Sequence, residues 1–398
     1  MRRVWSINLA TGGNDLRGPD SMTPPSITLD SPYQLPRQIP QLDRLRGLAI
    51  LLVLVCHAGY IAPPALARIT DQGWIGVDLF FVLSGFLITG ILWDTRDGKR
   101  YFRRFYERRV LRIWPVYMLV LVFAFGVMPL LKLIVGGMLL SIPREPLGFW
   151  PYLLMVQNLF WDGSHGSSML GMTWSLAIEE QFYLVWPAVI YFAPRRVILP
   201  GLSLGILMCP LLRLWAVDRG FSESTIYHLP LTHGDGLLCG AVLAVWLRTA
   251  KPKRRTLLLM GIALLLAGCL LYAPLRPLNV TVLNCSPLVI TAVASISTGL
   301  LLVALVSENM GRFLHRFVFM SRSLAFLGFI SYGLYLYHAF IVRLAISNKV
   351  AVMLDRWHHL VLTQWLMVAS AVGLSILVAW ISRVTLERFA LSQKGIFG

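Results

Sequence analysis

The amino-acid sequence predicts an all-α fold, a polytopic transmembrane bundle of about ten helices. Of its 398 residues, 57% are hydrophobic and only 14% are charged, and the mean hydropathy is +0.67. These values exceed the apolar content of ordinary soluble domains. Apolar stretches long enough to cross a bilayer recur along the chain, and Lys and Arg concentrate in the short segments between them.

Ten apolar stretches are candidates for spans, because each approaches the length that a hydrocarbon core of about 30 Å requires. Their approximate bounds are 46–62, 74–93, 113–131, 174–193, 197–216, 234–247, 256–275, 286–306, 323–345 and 360–382. The sixth stretch, 234–247, is short for a span and could begin earlier. Residues 150–161 are apolar but too short to cross, so we expect an interfacial or re-entrant segment there.

The distribution of basic residues predicts the orientation. With the N-terminus inside, 27 of the 36 Lys and Arg lie in cytosolic segments, seven lie on the other side, and Arg213 and Arg343 lie within spans. Basic residues are retained on the cytoplasmic side of short loops. We therefore expect both termini in the cytoplasm, with the bacterial inner membrane as the host membrane.

The domain organisation follows from the same pattern. Residues 1–40 contain six prolines and no continuous apolar core, which predicts a disordered cytosolic tail. We expect a membrane domain over residues 41–390 and a short cytosolic tail over 391–398. The net charge of +17 reflects this topology, and a nucleic-acid partner is not expected because no soluble basic domain is present.

The five cysteines show neither CxxC nor metal-ligand spacing. We therefore expect no metal site, no disulfide framework and no bound cofactor.

The run RLRGLAILLVLVCH places Arg46 and His57 eleven residues apart on one apolar segment. Eleven residues are about three helical turns, so both side chains share one face, separated by about 16 Å along the axis. An ionisable side chain midway through a span usually serves function. Four further ionisable side chains fall within about 6–8 Å of the predicted outer edge, namely Asp78, Glu179, Glu180 and His338.

Five segments in order resemble the acyltransferase 3 family of integral membrane proteins, which O-acylate carbohydrates. They are LDRLRGLAILLVLVCH (42–57), GWIGVDLFFVLSGFLIT (73–89), FYERRVLRIWPVY (105–117), TWSLAIEEQFYLVWP (173–187) and FISYGLYLYHAF (329–340). The resemblance implies an enzyme that transfers an acyl group other than an aminoacyl group, commonly acetyl from cytosolic acetyl-CoA. It implies as acceptor a sugar hydroxyl of a lipid-linked or exported glycan. It also ties Arg46, His57 and the RxxR pair Arg109 and Arg112 to activity.

The arginines suit an anionic donor. Guanidinium groups bind phosphate bidentately, so Arg108, Arg109 and Arg112 at the cytosolic edge are candidates for holding the phosphates of acyl-CoA. Arg46 is a further candidate for anchoring the donor. The alternative for all four is a membrane-edge cation that contacts lipid head groups.

His57 is the candidate general base, since an imidazole titrates near neutrality and can take the proton of an attacking hydroxyl. Asp78, Glu179 and Glu180 are candidates for orienting His57 or binding a sugar. Asp78 lies about 8 Å shallower than His57 by helical rise, so their direct contact requires a tilted or broken helix. The alternative for these side chains is structural hydrogen bonding between helices.

Tyr332 and His338 are candidates for lining the acceptor path, with helix packing as the alternative. Asp235 resembles a further family position. His233 stands where we expect an arginine, so we assign His233 no role.

A proton-coupled secondary transporter of a small polar solute is the competing interpretation, because carriers also use intramembrane charges. A carrier is expected to show related halves, and the Arg46–His57 arrangement does not recur in the sequence. The expected partners are therefore acyl-CoA, a carbohydrate acceptor and membrane lipid.

Overall fold

The computed structural model describes residues 33–63 (without 34, 37 and 38), 66–135, 145–160 (without 146), 169–275, 288–307, 322–346 and 361–393. These residues form helices and no β-strand, which confirms the predicted all-α class. Most of the predicted N-terminal tail and residues 394–398 lie outside the described residues.

Fifteen α-helices occur among the described residues. In chain order they are α1 (Pro40–Ala58), α2 (Ala67–Thr70), α3 (Ile75–Thr95), α4 (Tyr101–Val122), α5 (Met128–Val135), α6 (Phe149–Leu153), α7 (Trp174–Phe192), α8 (Arg195–Asp218), α9 (Glu223–His228), α10 (Asp235–Thr249), α11 (Arg254–Leu275), α12 (Val289–Val306), α13 (Arg322–Ile346), α14 (Val361–Ser382) and α15 (Arg388–Ser392). Single π-helical segments at Phe123–Val127 and Arg383–Glu387 join α4 to α5 and α14 to α15. Short 3₁₀ segments lie at Asp71–Trp74, Gln157–Phe160 and Gly171–Thr173.

Seven helical segments of the described chain are long and apolar enough to cross a membrane. They are Asp71–Thr95, Tyr101–Ile134, Arg195–Asp218, Arg254–Pro274, Val289–Val306, Arg322–Ala345 and Leu362–Ser392. The count of about ten is not confirmed, and spans at α1, α7 and α10 stay predictions. Helix α10 has only 15 residues. Helices α1 and α7 carry charged side chains, which weaken their apolar signal.

The described part of the apolar segment 150–161, residues 150–160, forms no long helix. It is divided between α6 and the 3₁₀ turn Gln157–Phe160. Neither piece is long enough to cross a bilayer, in keeping with the predicted interfacial or re-entrant segment.

The burial pattern separates inner helices from peripheral ones. Helices α3 and α12 bury most of their apolar residues inside the protein, whereas α8 and α11 leave most of theirs exposed. A helix that is apolar all round and exposed suits lipid contact. The inner helices therefore form the part of the bundle in which polar side chains are shielded from lipid.

Helices α1 and α13 pack with their backbones in contact at two glycines. A Cβ atom added at Gly47 would lie 1.9 Å from the Leu324 carbonyl oxygen, and one added at Gly328 would lie 1.8 Å from the Asp43 carbonyl oxygen. Only a residue without Cβ permits this approach. The contact fixes α1, which carries Arg46 and His57, against α13, which carries Tyr332 and His338.

Candidate active site

A cavity of about 280 Å³ lies between α1, α3, α4, α7 and α13. We call it the deep cavity. Three of its lining residues are the predicted donor-binding arginines, Arg46, Arg109 and Arg112, and a fourth is the predicted carboxylate Glu179. Residues that are far apart in the sequence thus meet around one space.

A larger cavity of about 670 Å³ adjoins the deep cavity, and we call it the wide cavity. The two share Ile91, Arg109, Arg112, Ser331 and Tyr332 in their linings. The wide cavity is also bordered by the α3–α4 connection and by the π segment that follows α14. The arginine pair therefore stands at the junction of the two spaces.

The arginines differ in their partners. Arg46 forms an ion pair with Asp43 at 2.9 Å. The Arg109 guanidinium lies over the rings of Phe105 and Tyr183, 5.8 and 5.7 Å from their centroids. Its Nε is buried and has no hydrogen-bond partner among the described residues. A buried donor of this kind is costly unless a ligand or water accepts its hydrogen bond.

Glu179 is held by two hydroxyl groups on the wall of the deep cavity. Ser84 Oγ donates to Glu179 Oε1 at 2.9 Å, and the Tyr183 hydroxyl donates to Oε2 at 3.1 Å. Sequence reasoning did not select Ser84 or Tyr183, although the spacing of four residues between Glu179 and Tyr183 places them on one helix face. Glu180 lies beside this group and keeps one buried oxygen, Oε1, without a hydrogen-bond partner among the described residues.

His57 has a defined tautomer. Its Nδ1 lies 2.9 Å from the Val53 carbonyl oxygen, which can only accept a hydrogen bond. We therefore assign the proton of the neutral ring to Nδ1, which leaves the lone pair on Nε2. In the described part of the chain no carboxylate hydrogen-bonds to His57, so the predicted orientation of this ring by Asp78 or a glutamate is not seen.

The nearest ring partner of His57 is His338 on α13. The two ring centroids are 4.8 Å apart at an interplanar angle of 74°. His338 is fully buried, and its Nδ1 faces the Leu334 carbonyl oxygen at 2.9 Å. Its Nε2 is buried without a hydrogen-bond partner among the described residues.

Tyrosines of α13 connect this pair to the deep cavity. Tyr335 lines the cavity and lies 5.9 Å from His338, centroid to centroid. The Tyr335 hydroxyl donates to the Met172 carbonyl oxygen at 2.7 Å and contacts Ser175 Oγ at 2.6 Å. Tyr332 lines both cavities, and its hydroxyl donates to the Ile113 carbonyl oxygen at 2.7 Å. The spacing of Ser331, Tyr335 and His338 on one helix face was the signal that could have selected Tyr335.

Asp78 pairs with His233, to which we had assigned no role. Both side chains are fully buried, and His233 Nε2 lies 3.1 Å from Asp78 Oδ1. His233 Nδ1 faces the Tyr227 carbonyl oxygen at 2.6 Å. Because both ring nitrogens face oxygens, the pair must hold a proton between Nε2 and Oδ1. His233 also stacks edge-to-face on Phe81, whose side chain lines the deep cavity.

Asp235, two residues after His233, forms a second buried ion pair with Arg213. Arg213 donates from both terminal nitrogens to the Asp235 carboxylate, at 2.7 and 2.9 Å. Thr291 bridges them, accepting from Arg213 and donating to Asp235. The cation predicted within the fifth span is therefore neutralised by a carboxylate at the start of α10.

Comparisons with known proteins identify the family of this chain. The acyltransferase 3 family model, described as an acyltransferase domain, matches residues 39–384. The peptidoglycan O-acetyltransferase OatA of Listeria monocytogenes is 30% identical over 77% of this chain and 50% of its own length. The O-acetyltransferase OatA of Staphylococcus aureus is 30% identical over 55% of this chain and 36% of its own length.

The chain thus spans half, or less, of the length of these two relatives. No solved structure matches the chain. The family model, however, covers all five segments on which the resemblance rests. The chain therefore belongs to the acyltransferase 3 family of enzymes.

Proposed function

We propose that this protein is an integral membrane O-acetyltransferase that moves an acetyl or similar short acyl group from acyl-CoA to a hydroxyl of a cell-surface or exported carbohydrate. Peptidoglycan is the carbohydrate named for the Listeria relative. The observation that carries the proposal is the convergence of Arg46, Arg109 and Arg112 on one cavity, with the His57–His338 pair reached through Tyr335. Residues 41–390 are the proposed catalytic membrane domain.

The arginines bind the donor in this account. Arg109 and Arg112 stand where the wide and deep cavities meet, so a phosphorylated carrier held there can extend its thioester arm into the deep cavity. Guanidinium groups supply the planar donor fork that phosphate oxygens accept. In the proposed orientation, with both termini in the cytoplasm of a bacterial inner membrane, the wide cavity opens on the side where acyl-CoA is made.

His57 is the proposed general base. Its Nε2 takes the proton of the acceptor hydroxyl while the hydroxyl oxygen attacks the thioester carbonyl carbon. As the carbon–sulfur bond breaks, the thiolate of CoA takes that proton from Nε2, so the histidine returns to its starting form. The acceptor carbohydrate approaches from the His57 end, about 16 Å along α1 from Arg46.

The remaining predicted residues have supporting roles. Glu179 and Glu180 balance the charge of Arg109 and fix the hydroxyl groups that face the deep cavity. Of the two residues predicted for the acceptor path, His338 keeps that proposed role beside His57. Tyr332 instead lies with Arg109 and Arg112 where the two cavities meet, on the proposed route of the donor. Asp78 acts as a positioning residue, because its partner His233 packs behind Phe81 on the cavity wall.

The experiment that tests this function is mass spectrometry of surface glycans from cells that express the wild type, His57→Ala or Arg109→Ala at equal membrane abundance. We expect the mass increment of one acyl group with the wild type and its absence with both variants. Identical glycans in all three strains would contradict the assignment, and solute transport would then be measured.

A further inference from the structure

The wide cavity is strongly cationic. Six basic side chains line it, and three carboxylates do so. Two of those carboxylates are already ion-paired with arginines outside the lining: Arg248 holds Asp94 at 2.7 and 2.8 Å, and Arg195 holds Asp97 at 2.7 Å. The positive charge of the cavity therefore exceeds its negative charge, and an anion is the ligand that it favours.

Four of these basic side chains lie on helix α4 and Lys99 lies just before it, whereas Arg383 comes from a distant part of the chain. The Arg383 guanidinium, on the π segment after α14, lies 4.4 Å from the centroid of the Phe329 ring. Arg383 Nη1 forms an ion pair with Glu387 Oε2 at 3.4 Å. Arg383 Nε is buried without a hydrogen-bond partner among the described residues. Arg383, Phe329 and Glu387 all line the wide cavity. π-Helical segments of this kind frequently occur at functional sites.

The two cavities differ in the part of a ligand that they can hold. The wide cavity, at about 670 Å³, lies within the range of pockets that enclose drug-sized ligands, whereas the deep cavity has about 280 Å³. A guanidinium that lies on an aromatic ring offers its other face for stacking and its edges for phosphate. The wide cavity thus suits a nucleotide, and the deep cavity suits a narrow extended group such as the thioester-bearing chain of acyl-CoA.

We propose that Arg383, positioned by Phe329 and Glu387, recognises the 3′-phosphorylated adenosine end of CoA, with Arg104 and Arg108 in the same lining as further phosphate ligands. The inference rests on the proposed function, since it assumes an acyl-CoA donor whose arm passes Arg109 and Arg112. It assigns the donor a direction, with the nucleotide in the wide cavity and the thioester in the deep cavity. It also makes the 3′-phosphate, which carries about two negative charges, a determinant of donor choice.

The test is calorimetric titration of the full chain in lipid nanodiscs with CoA and with 3′-dephospho-CoA. We expect the wild type to bind CoA at least tenfold more tightly than 3′-dephospho-CoA. Arg383→Gln should weaken CoA binding at least tenfold and 3′-dephospho-CoA binding less than threefold, so that the preference is lost. Arg388→Gln, which removes an exposed arginine five residues away, should retain the wild-type preference.

Several outcomes would overturn the inference. One is that the wild type binds CoA and 3′-dephospho-CoA with equal affinity. Another is that Arg383→Gln weakens the binding of both ligands by the same factor. Arg383→Lys keeps the charge but not the planar fork, and it should recover part of the preference in a folded protein. If Arg383→Gln lowers the melting temperature, Arg383→Lys becomes the test variant. A preference of Arg383→Lys for CoA over 3′-dephospho-CoA that equals the wild-type preference would contradict recognition by the guanidinium group.

An anionic lipid head group is the second source of phosphate for this cavity. Titrations in nanodiscs with and without phosphatidylglycerol separate the two sources. We expect CoA affinity to change less than threefold, and an Arg383-dependent loss of CoA binding on adding this lipid would assign the cavity to lipid instead. Acetyl transfer is measured on the same samples as an independent readout of the proposed function. Transfer without a binding preference for the 3′-phosphate would contradict only this inference. A binding preference without transfer would contradict only the proposed function.

Discussion

His57 on α1 lies edge-to-face against His338 on α13, with ring centroids 4.8 Å apart. Each ring directs Nδ1 at the carbonyl oxygen four residues earlier in its own helix. Both neutral rings therefore keep their lone pairs on Nε2, where a base needs one. The backbone contact between the two helices at Gly47 and Gly328 maintains the packing of this pair.

Gly328→Ala should separate α1 from α13. The added Cβ meets the Asp43 carbonyl oxygen, so we expect a loss of about 1–3 kcal/mol in stability and reduced acyl transfer. The measurement is thermal unfolding in detergent, with Gly201→Ala as the control because nothing lies within 4 Å of its added Cβ. Equal melting temperatures for the two variants would refute the close-packing argument.

Arg109→Gln should weaken donor binding. A hydrogen bond to a charged group contributes about 1.5–3 kcal/mol, which corresponds to roughly a 10- to 100-fold rise in KM for acetyl-CoA. Arg103→Gln is the matched control on the same helix, because Arg103 is exposed and paired with Glu107 at 2.5 Å. Similar KM values for both variants would show that Arg109 is only a membrane-edge cation.

Glu179→Gln should reduce both stability and activity. Ser84 and Tyr183 each donate to one carboxylate oxygen, and an amide replaces one acceptor with a donor, which leaves a hydroxyl group unpaired. We expect a destabilisation of about 1–3 kcal/mol and a fall in kcat. Glu107→Gln, at a half-buried carboxylate paired with the exposed Arg103, serves as the control in the same thermal and kinetic assays. A fully active and stable Glu179→Gln enzyme would remove Glu179 from the site.

Asp235→Asn should strongly destabilise the bundle, since it leaves the buried Arg213 without its carboxylate. Breaking such a pair costs about 3–5 kcal/mol, whereas an exposed pair contributes at most about 1 kcal/mol. Asp97→Asn at the exposed Arg195 pair is therefore the control. In the double variant Arg213→Met with Asp235→Leu, most of the lost stability should return. Equal losses from Asp235→Asn and Asp97→Asn in thermal unfolding would contradict this assignment.

The fold class could be predicted because an apolar chain with basic connecting segments has few alternatives to a helical membrane bundle. The number of spans was harder to predict for a physical reason. Helices α1 and α7 carry charged side chains that we propose for the site, and these lower their apolar signal. Helix α10 is short because the polar sequence THGD, at residues 232–235, precedes or begins it.

The site was predictable where the family resemblance supplied the residues, and Arg46, Arg109 and Arg112 do meet at one cavity. Contacts between distant segments were not predictable. The pairing of His233 with Asp78 depends on how the start of α10 lies against α3, which no local pattern in the sequence reveals. Arg383 was overlooked for the same reason, because only the packing of α14 brings it to the wide cavity.

The most direct test of the account is the rate of acetyl transfer from acetyl-CoA to an oligosaccharide acceptor by the purified protein in liposomes. His57→Ala should lower this rate about 10²–10⁴-fold, the usual contribution of a general base. His228→Gln is the matched control, because His228 Nδ1 also lies at the carbonyl oxygen four residues earlier, but its ring packs on Trp174 and Tyr227, whereas the His57 ring packs on His338. A His57→Ala enzyme that transfers acetyl at the wild-type rate would contradict the central claim that His57 is the base.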